Sequence, residues 1–134
     1  MDQRNSRPRY RVVVAEDNEL IRELLAQQLV ELGHTVVGKA RNGREAVQLV
    51  AHERPDVVVL DRGLPIQDGL AASMAIAAQS PTAVVVLSAY MSGGDPEEEA
   101  RAAGAHSFLA KPYLIEELDE TLEQAVHRFK RTQP

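Results

Sequence analysis

Val57-Val58-Val59-Leu60-Asp61, a run of β-branched and apolar residues that ends abruptly on a carboxylate, decides the fold of this chain. Apolar runs this short and uninterrupted read as strands covered on both faces, the pattern of a parallel sheet. Two more runs end in the same way: Val12-Val13-Val14-Ala15 passes into Glu16-Asp17, and Phe108-Leu109-Ala110 passes into Lys111. Ligands of an open parallel sheet sit at the carboxyl ends of its strands. Three acids and a lysine are therefore expected on one rim, a donor set suited to a metal-dependent phospho-acceptor.

Outward from these runs, strand and helix signals alternate. A first strand covers residues 10–15, after which Leu20, Ile21, Leu24, Leu25, Leu29 and Leu32 recur at helical spacing until Gly33 stops the helix. A second strand spans 34–40. Asn42 with Glu45 predicts a capping box for a helix reaching about residue 52, and Pro55 separates it from the third strand. The Ala-rich stretch 69–79 predicts a helix with Leu70 and Met74 facing inward; Ser80-Pro81 breaks it, and residues 83–87 form a fourth strand. Asp95-Pro96-Glu97-Glu98 combines an N-cap, a proline at the first helical position and acids in the first turn, with Gly104 as the matching stop. A fifth strand over 106–110 precedes a last helix that carries Leu114, Leu118, Leu122, Ala125, Val126 and Phe129 on one face. Five alternations predict an α/β fold, a parallel sheet with helices on both sides.

A chain of 134 residues has room for one domain with a real core. The expected division is a flexible basic N-terminal tail over residues 1–9, the domain over 10–130 and a short tail over 131–134. Apolar content of 44% with 26% charge is ordinary for a globular protein, and the net charge of -5 argues against a general nucleic-acid binder. Without cysteine there is neither a disulfide framework nor a thiolate metal site. No apolar stretch approaches the length of a bilayer span, and residues 1–9 lack the apolar core of a secretory leader, so a cytoplasmic protein is the simplest expectation. The histidines, His34, His52, His106 and His127, lack close metal-ligand spacing and read as structural or surface residues.

Five motifs in order carry a resemblance over nearly the whole chain: Val-Val-Ala-Glu16-Asp17-Asn18; Pro55-Asp-Val-Val-Val-Leu-Asp61-Arg-Gly-Leu-Pro65-Ile-Gln-Asp-Gly69; Val-Leu-Ser88-Ala89; Ala-Gly104-Ala; and Lys111-Pro112. Together they resemble the receiver domain of two-component response regulators. The resemblance implies a flavodoxin-like, five-stranded doubly wound sheet of order 2-1-3-4-5 with five helices, the order shared by flavodoxin and the chemotaxis receiver.

Chemistry alone makes Asp61 a candidate nucleophile toward phosphorus, since a carboxylate can form an acyl phosphate and this one ends the central strand. Three clustered acids repel one another and favour a dication. Magnesium fits best, being a hard ion that takes oxygen ligands and bridges to phosphate. The resemblance implies that Asp17, Asp61 and the Gly63 backbone carbonyl bind Mg2+, with Glu16 acting through water. It implies that Lys111 pairs with the phosphoryl oxygens and that the Ser88 hydroxyl bonds to them after phosphorylation. It implies a cis peptide before Pro112, where the penalty for cis is smallest, and an inward rotation of the aromatic at position 108. The added charge should draw Ser88 and the following loop inward. The output surface would be the helix from Asp95, the fifth strand and the final helix. The phosphodonor would be a histidine kinase or a histidine phosphotransfer protein, docking near Asn18, Leu20, Ile21, Leu24 and Pro112. A downstream effector or a fused output domain would read the switch, and a homodimer through the output face stays open. Membrane contact, and nucleic-acid contact by this domain, are not expected. No helix-turn-helix or catalytic output unit follows within the sequence, so the chain is expected to be a free-standing receiver or one cut from a longer protein.

Bland alternatives exist for each residue. Glu16-Asp17 could be a solvated strand exit, Asp61 a loop acid, Ser88 the start of a turn and Phe108 a core aromatic; Gly69 and Gly104 serve backbone geometry. The joint placement of the acids with Lys111 argues for a site. Three departures from the family pattern stand out. Phe108 lacks the usual phenol hydroxyl, so the switch is expected to work by packing. Gly63 stands where a larger side chain is usual and should open the site, while Leu64 replaces a frequent methionine. Tyr90 could partly cover the phosphoryl group and oppose that opening, and Ser92-Gly93-Gly94 should let the switch loop move. Acids at 95, 97–99, 116, 117, 119 and 120 predict either an acidic output face or a solvated one. Arg4, Arg7, Arg9 and Arg11 with Arg128, Lys130 and Arg131 predict a basic pole or solubilising tails. A haloacid-dehalogenase-type phosphatase needs a second acid where Gly63 stands. A flavodoxin-like binder needs a small-residue phosphate loop where Glu16-Asp17-Asn18-Glu19 stands. A phosphorylation-independent interaction module is the remaining alternative.

Overall fold

Alternate residues of the central strands bury toward opposite helix layers, which is why their sequences are apolar without interruption. Val12, Val14, Val57, Val59, Val85 and Leu87 contribute to one core, whereas Val13, Val58, Leu60, Val84 and Val86 contribute to the other. A computed structural model describes residues 8–89 and 94–133, so the expectations for Arg4, Arg7, Tyr90 and Ser92-Gly93 lie outside the described residues. Five strands, β1 (Arg11–Ala15), β2 (Thr35–Ala40), β3 (Val57–Asp61), β4 (Ala83–Ala89) and β5 (Ser107–Lys111), alternate with α1 (Glu19–Glu31), α2 (Gly43–Glu53), α3 (Gly69–Gln79), α4 (Pro96–Ala102) and α5 (Ile115–Thr132). The strands are parallel in the order β2-β1-β3-β4-β5.

Leu25 and Leu29 of α1 join Leu118, Leu122, Ala125 and Val126 of α5 on the first face. Ala46 and Val50 of α2, Ala72 and Ile76 of α3 and Ala100 of α4 cover the second. Helix starts follow the caps in the sequence: Asn18, Asn42, Asp68 and Asp95 each accept a backbone N–H from their own first turn. Gly33 and Gly104 end α1 and α4 in the left-handed region, at φ +96° and +85°. The capping box at Asn42 is half formed: its side chain accepts from Glu45, but the Glu45 carboxylate takes the N–H of Arg41 instead, at 2.9 Å.

Three assignments need correcting, two inward and one outward. Met74 is 59% exposed, and α3 buries Ala72, Ser73 and Ile76 with Leu70 half-buried. Leu114 is 66% exposed and precedes α5, where its N–H donates to Glu117 Oε1 at 2.8 Å. Asp119 is buried against His34, 2.9 Å from its Nε2, and so leaves the proposed acidic face. Because His34 Nδ1 accepts the Tyr10 N–H at 3.1 Å, Nε2 carries the proton and donates to Asp119. Glu116 and Glu120 turn with Asp119 into a groove beside Glu31 of α1, so the acids do not form one surface. At the opposite pole Arg11 reaches the carbonyls of Glu53 and Arg54, and Arg128 that of His106. These two arginines serve the fold rather than a free basic patch. No helix among the described residues is long and apolar enough to cross a membrane.

Candidate functional site

Parallel register brings the three charged strand ends together. Ala15 pairs with Leu60, Asp61 with Leu87, and Ala89 with Lys111, so the residues that follow β1, end β3 and end β5 share the carboxyl rim of the sheet. Lys111 Nζ donates to Asp61 Oδ1 at 2.6 Å and lies 3.7 Å from Glu16 Oε1. One oxygen from each of Glu16, Asp17 and Asp61 falls within 4.8 Å of the others. That all-oxygen, all-carboxylate set could hold a hard metal ion, and its self-repulsion gives it reason to.

Electrostatics inside the cluster are uneven. Glu16 is buried and its carboxyl is pushed up from the usual carboxylate range, first by burial, then by its hydrogen bond with Asp17 and by the charge of Asp61. Lys111 and the Asn18 N–H pull the other way. Asp17 is exposed at the mouth of the cleft, and the Lys111–Pro112 peptide is cis.

The Ser88 hydroxyl is buried beside the cleft and donates to the Ala89 carbonyl at 3.1 Å. Phe108, half-buried, packs on the core beneath α2, α3 and α4. At Gly63 a Cβ would meet Asp61 Oδ2 at 3.5 Å, an ordinary contact, and no other described residue within 4 Å. Leu64 is buried, and Tyr90 lies outside the described residues. Ile21 and Leu24 line a groove with Pro112 and Tyr113 that runs up to Asp61 and Lys111. Leu20, 81% exposed, and the exposed Asn18 stand outside that groove.

Arg22, Arg62 and Gly43 were not anticipated as supporting residues, whereas Gly69 has the backbone role expected of it. Arg22 is buried on α1 and donates to the Glu16 carbonyl at 3.0 Å, fixing the turn that carries the acids. Its place on the stripe of Leu25, Ala26 and Leu29 is the signal that could have revealed it. Arg62 forms an ion pair with Glu99. Gly69 admits no side chain, since a Cβ there would lie 2.4 Å from the Asp61 carbonyl oxygen, and Gly43 meets the Gln67 carbonyl oxygen at 1.8 Å in the same test.

The sequence matches the family described as "Response regulator receiver domain" over residues 12–123. Among curated proteins it is 44% identical over 120 residues to the "Transcriptional regulatory protein PdtaR" of Mycobacterium tuberculosis, covering 90% of this chain and 58% of the relative. A protein-glutamate methylesterase/protein-glutamine glutaminase of Haloarcula marismortui is 42% identical over 103 residues, covering 76% of this chain and 28% of that one. The chain therefore spans little more than half of one relative and about a quarter of the other. Among solved structures, the signal receiver domain of the putative response regulator NarL of M. tuberculosis superposes with a TM-score of 0.80 at 30% identity, over 90% of this chain and 98% of that one. The response regulator domain of Thermotoga maritima CheB gives 0.77 at 27% identity, over 95% and 100%.

Proposed function

Because the chain belongs to the response regulator receiver domain family, we propose that Asp61 accepts a phosphoryl group from a phosphohistidine, with magnesium, and that the modified domain switches a partner. The observation that carries this reading is the meeting of Lys111 with Asp61 at 2.6 Å inside a carboxylate set of Glu16 and Asp17. An Asp61 oxygen attacks phosphorus and an O–P bond forms as the P–N bond of the donor breaks. The imidazole leaves with the bonding pair and takes up a proton. Lys111 then offsets charge on the phosphoryl oxygens. Asp17, Asp61 and the Gly63 carbonyl would hold the magnesium directly and Glu16 through water; when bound, the ion supplies positive charge to the transferring group.

After transfer, Ser88 turns its hydroxyl from the Ala89 carbonyl to the phosphoryl group, and Phe108 fills the space behind it by packing alone. Gly63 leaves the acceptor open to donor and water, which sets the lifetime of the acyl phosphate. The kinase or phosphotransfer protein docks its histidine-bearing helices on the apolar groove of Ile21, Leu24 and Pro112, with Asn18 and Leu20 at its border. Output passes to an effector protein or to a fused domain, as the longer relatives suggest.

The test is the intact mass of the protein after incubation with acetyl phosphate, with and without magnesium, beside Asp61→Asn. A single magnesium-dependent phosphate adduct that disappears in the variant is expected. A folded, magnesium-binding protein that stays unmodified by acetyl phosphate and by phosphohistidine donors would overturn the reading in favour of a phosphorylation-independent module.

A further inference from the structure

Arg62 follows the candidate acceptor directly, and its backbone is fixed on both sides: its N–H donates to the Leu87 carbonyl at 2.8 Å and its carbonyl accepts from the Gly69 N–H at 3.0 Å. The side chain lines the same cleft as Asp61, Ser88 and Lys111. Its guanidinium leaves that cleft's edge to form an ion pair with Glu99 of α4. The two side chains are 26% and 38% exposed, so water screens the pair only in part. Among the described residues α4 has few other anchors beyond its Asp95 cap and the buried Ala103 that ends it. The helix has 7 residues and buries Ala100 within them, and its other ion pair among the described residues, Glu97 with Arg101, is internal.

We infer that the Arg62–Glu99 pair tethers α4 to the acceptor cleft, and that a phosphoryl group on Asp61 competes with Glu99 for the Arg62 guanidinium and so frees the helix. This rests on the phospho-acceptor reading and adds a route that neither Ser88 nor Phe108 supplies. A guanidinium fork suits phosphoryl oxygens as well as carboxylate oxygens, and the phosphoryl group carries more charge. Lys111 is already bonded to Asp61, and Arg62 is the other cation lining that cleft among the described residues. Coupling of this kind is reciprocal in free energy: if phosphorylation weakens the tether, cutting the tether at α4 favours the phosphorylated form, and an Arg62 released onto the phosphoryl oxygens also shields them from water.

Wild type, Glu99→Gln and Arg62→Gln, each as the full chain, should be compared by hydrogen exchange of the α4 amides and by acyl-phosphate decay after acetyl phosphate and magnesium. Without phosphate, both variants should exchange at α4 about two- to fivefold faster than wild type, the range a partly exposed ion pair supports. Glu99→Gln, with Arg62 released, should also retain phosphate about two- to fivefold longer. Arg62→Gln should show an unchanged or shorter lifetime. Phosphorylation should speed α4 exchange in wild type and add little in either variant. Equal exchange in unphosphorylated wild type and Glu99→Gln would overturn the tether, and equal lifetimes would overturn the competition. Failure to form any wild-type adduct would strike the acceptor reading and the competition with it, whereas an adduct that leaves α4 exchange unmoved would strike this inference alone.

Discussion

The helices α4 and α5 flank the same edge strand yet are held by different physics. α5 runs for 18 residues and buries Leu118, Leu122, Ala125 and Val126 in the core. α4 runs for 7 and, among the described residues, buries Ala100 and its capping Ala103; the Arg62–Glu99 ion pair joins it to the cleft. Burial of apolar area is indifferent to a charge appearing several ångströms away, whereas an ion pair responds to it directly. The contrast teaches where a charge added at Asp61, as proposed, would act: on the lightly held helix rather than on its neighbour.

The largest effect that would sharpen this comparison is Leu122→Ala. Emptying a fully buried site in α5 should cost about 2–5 kcal/mol in chemical denaturation. A loss under about 1 kcal/mol would mean that α5 is not the anchored partner. An intermediate effect is expected from acid at His106. Its Nδ1 accepts the Val84 N–H at 3.1 Å, its ring meets Phe129 of α5 edge-on, and its carbonyl accepts from Arg128 of α5. Burial lowers the His106 pKa from its ordinary 6.5. The unfolded chain therefore binds the proton more readily, and stability that is complete above pH 6.5 is lost as pH falls from there through the folded value. Denaturation midpoints measured from pH 7.5 down to 5 should fall more steeply for wild type than for His106→Asn; parallel curves would take His106 out of the anchorage of α5. The smallest effect belongs to α4 itself. Glu97→Gln breaks an exposed pair one helical turn long and should change global stability by less than about 0.5 kcal/mol. A larger loss would show α4 to be as deeply built in as α5.

The fold was legible because its strands are uninterrupted apolar runs and its helices begin at side-chain caps, both local properties of the chain. The convergence of Glu16, Asp17, Asp61 and Lys111 followed from topology alone, since parallel strands must deliver their carboxyl ends to one rim. What escaped the sequence depended on distant partners. α3 is alanine on most sides, so its apolar content leaves the phase of the buried stripe undefined, and Met74 fell outside. Asp119 reads as one acid in a run until His34, 85 positions earlier, is set against it. Arg62 and Glu99 carry no joint signal, and the need for glycine at 43, with the reason for the one expected at 69, becomes visible only when two backbones are brought together.

Those two glycines give the site a mechanical direction. At Gly69 the start of α3 bears on the backbone of Asp61 and Arg62, and at Gly43 the start of α2 bears on Gln67, so on this flank main chain abuts main chain with no compliant side chain between. Such an abutment does not yield to a push. A response to phosphorylation at Asp61, as proposed, would therefore meet a stiff flank at α2 and α3 and a softer one toward β4 and α4.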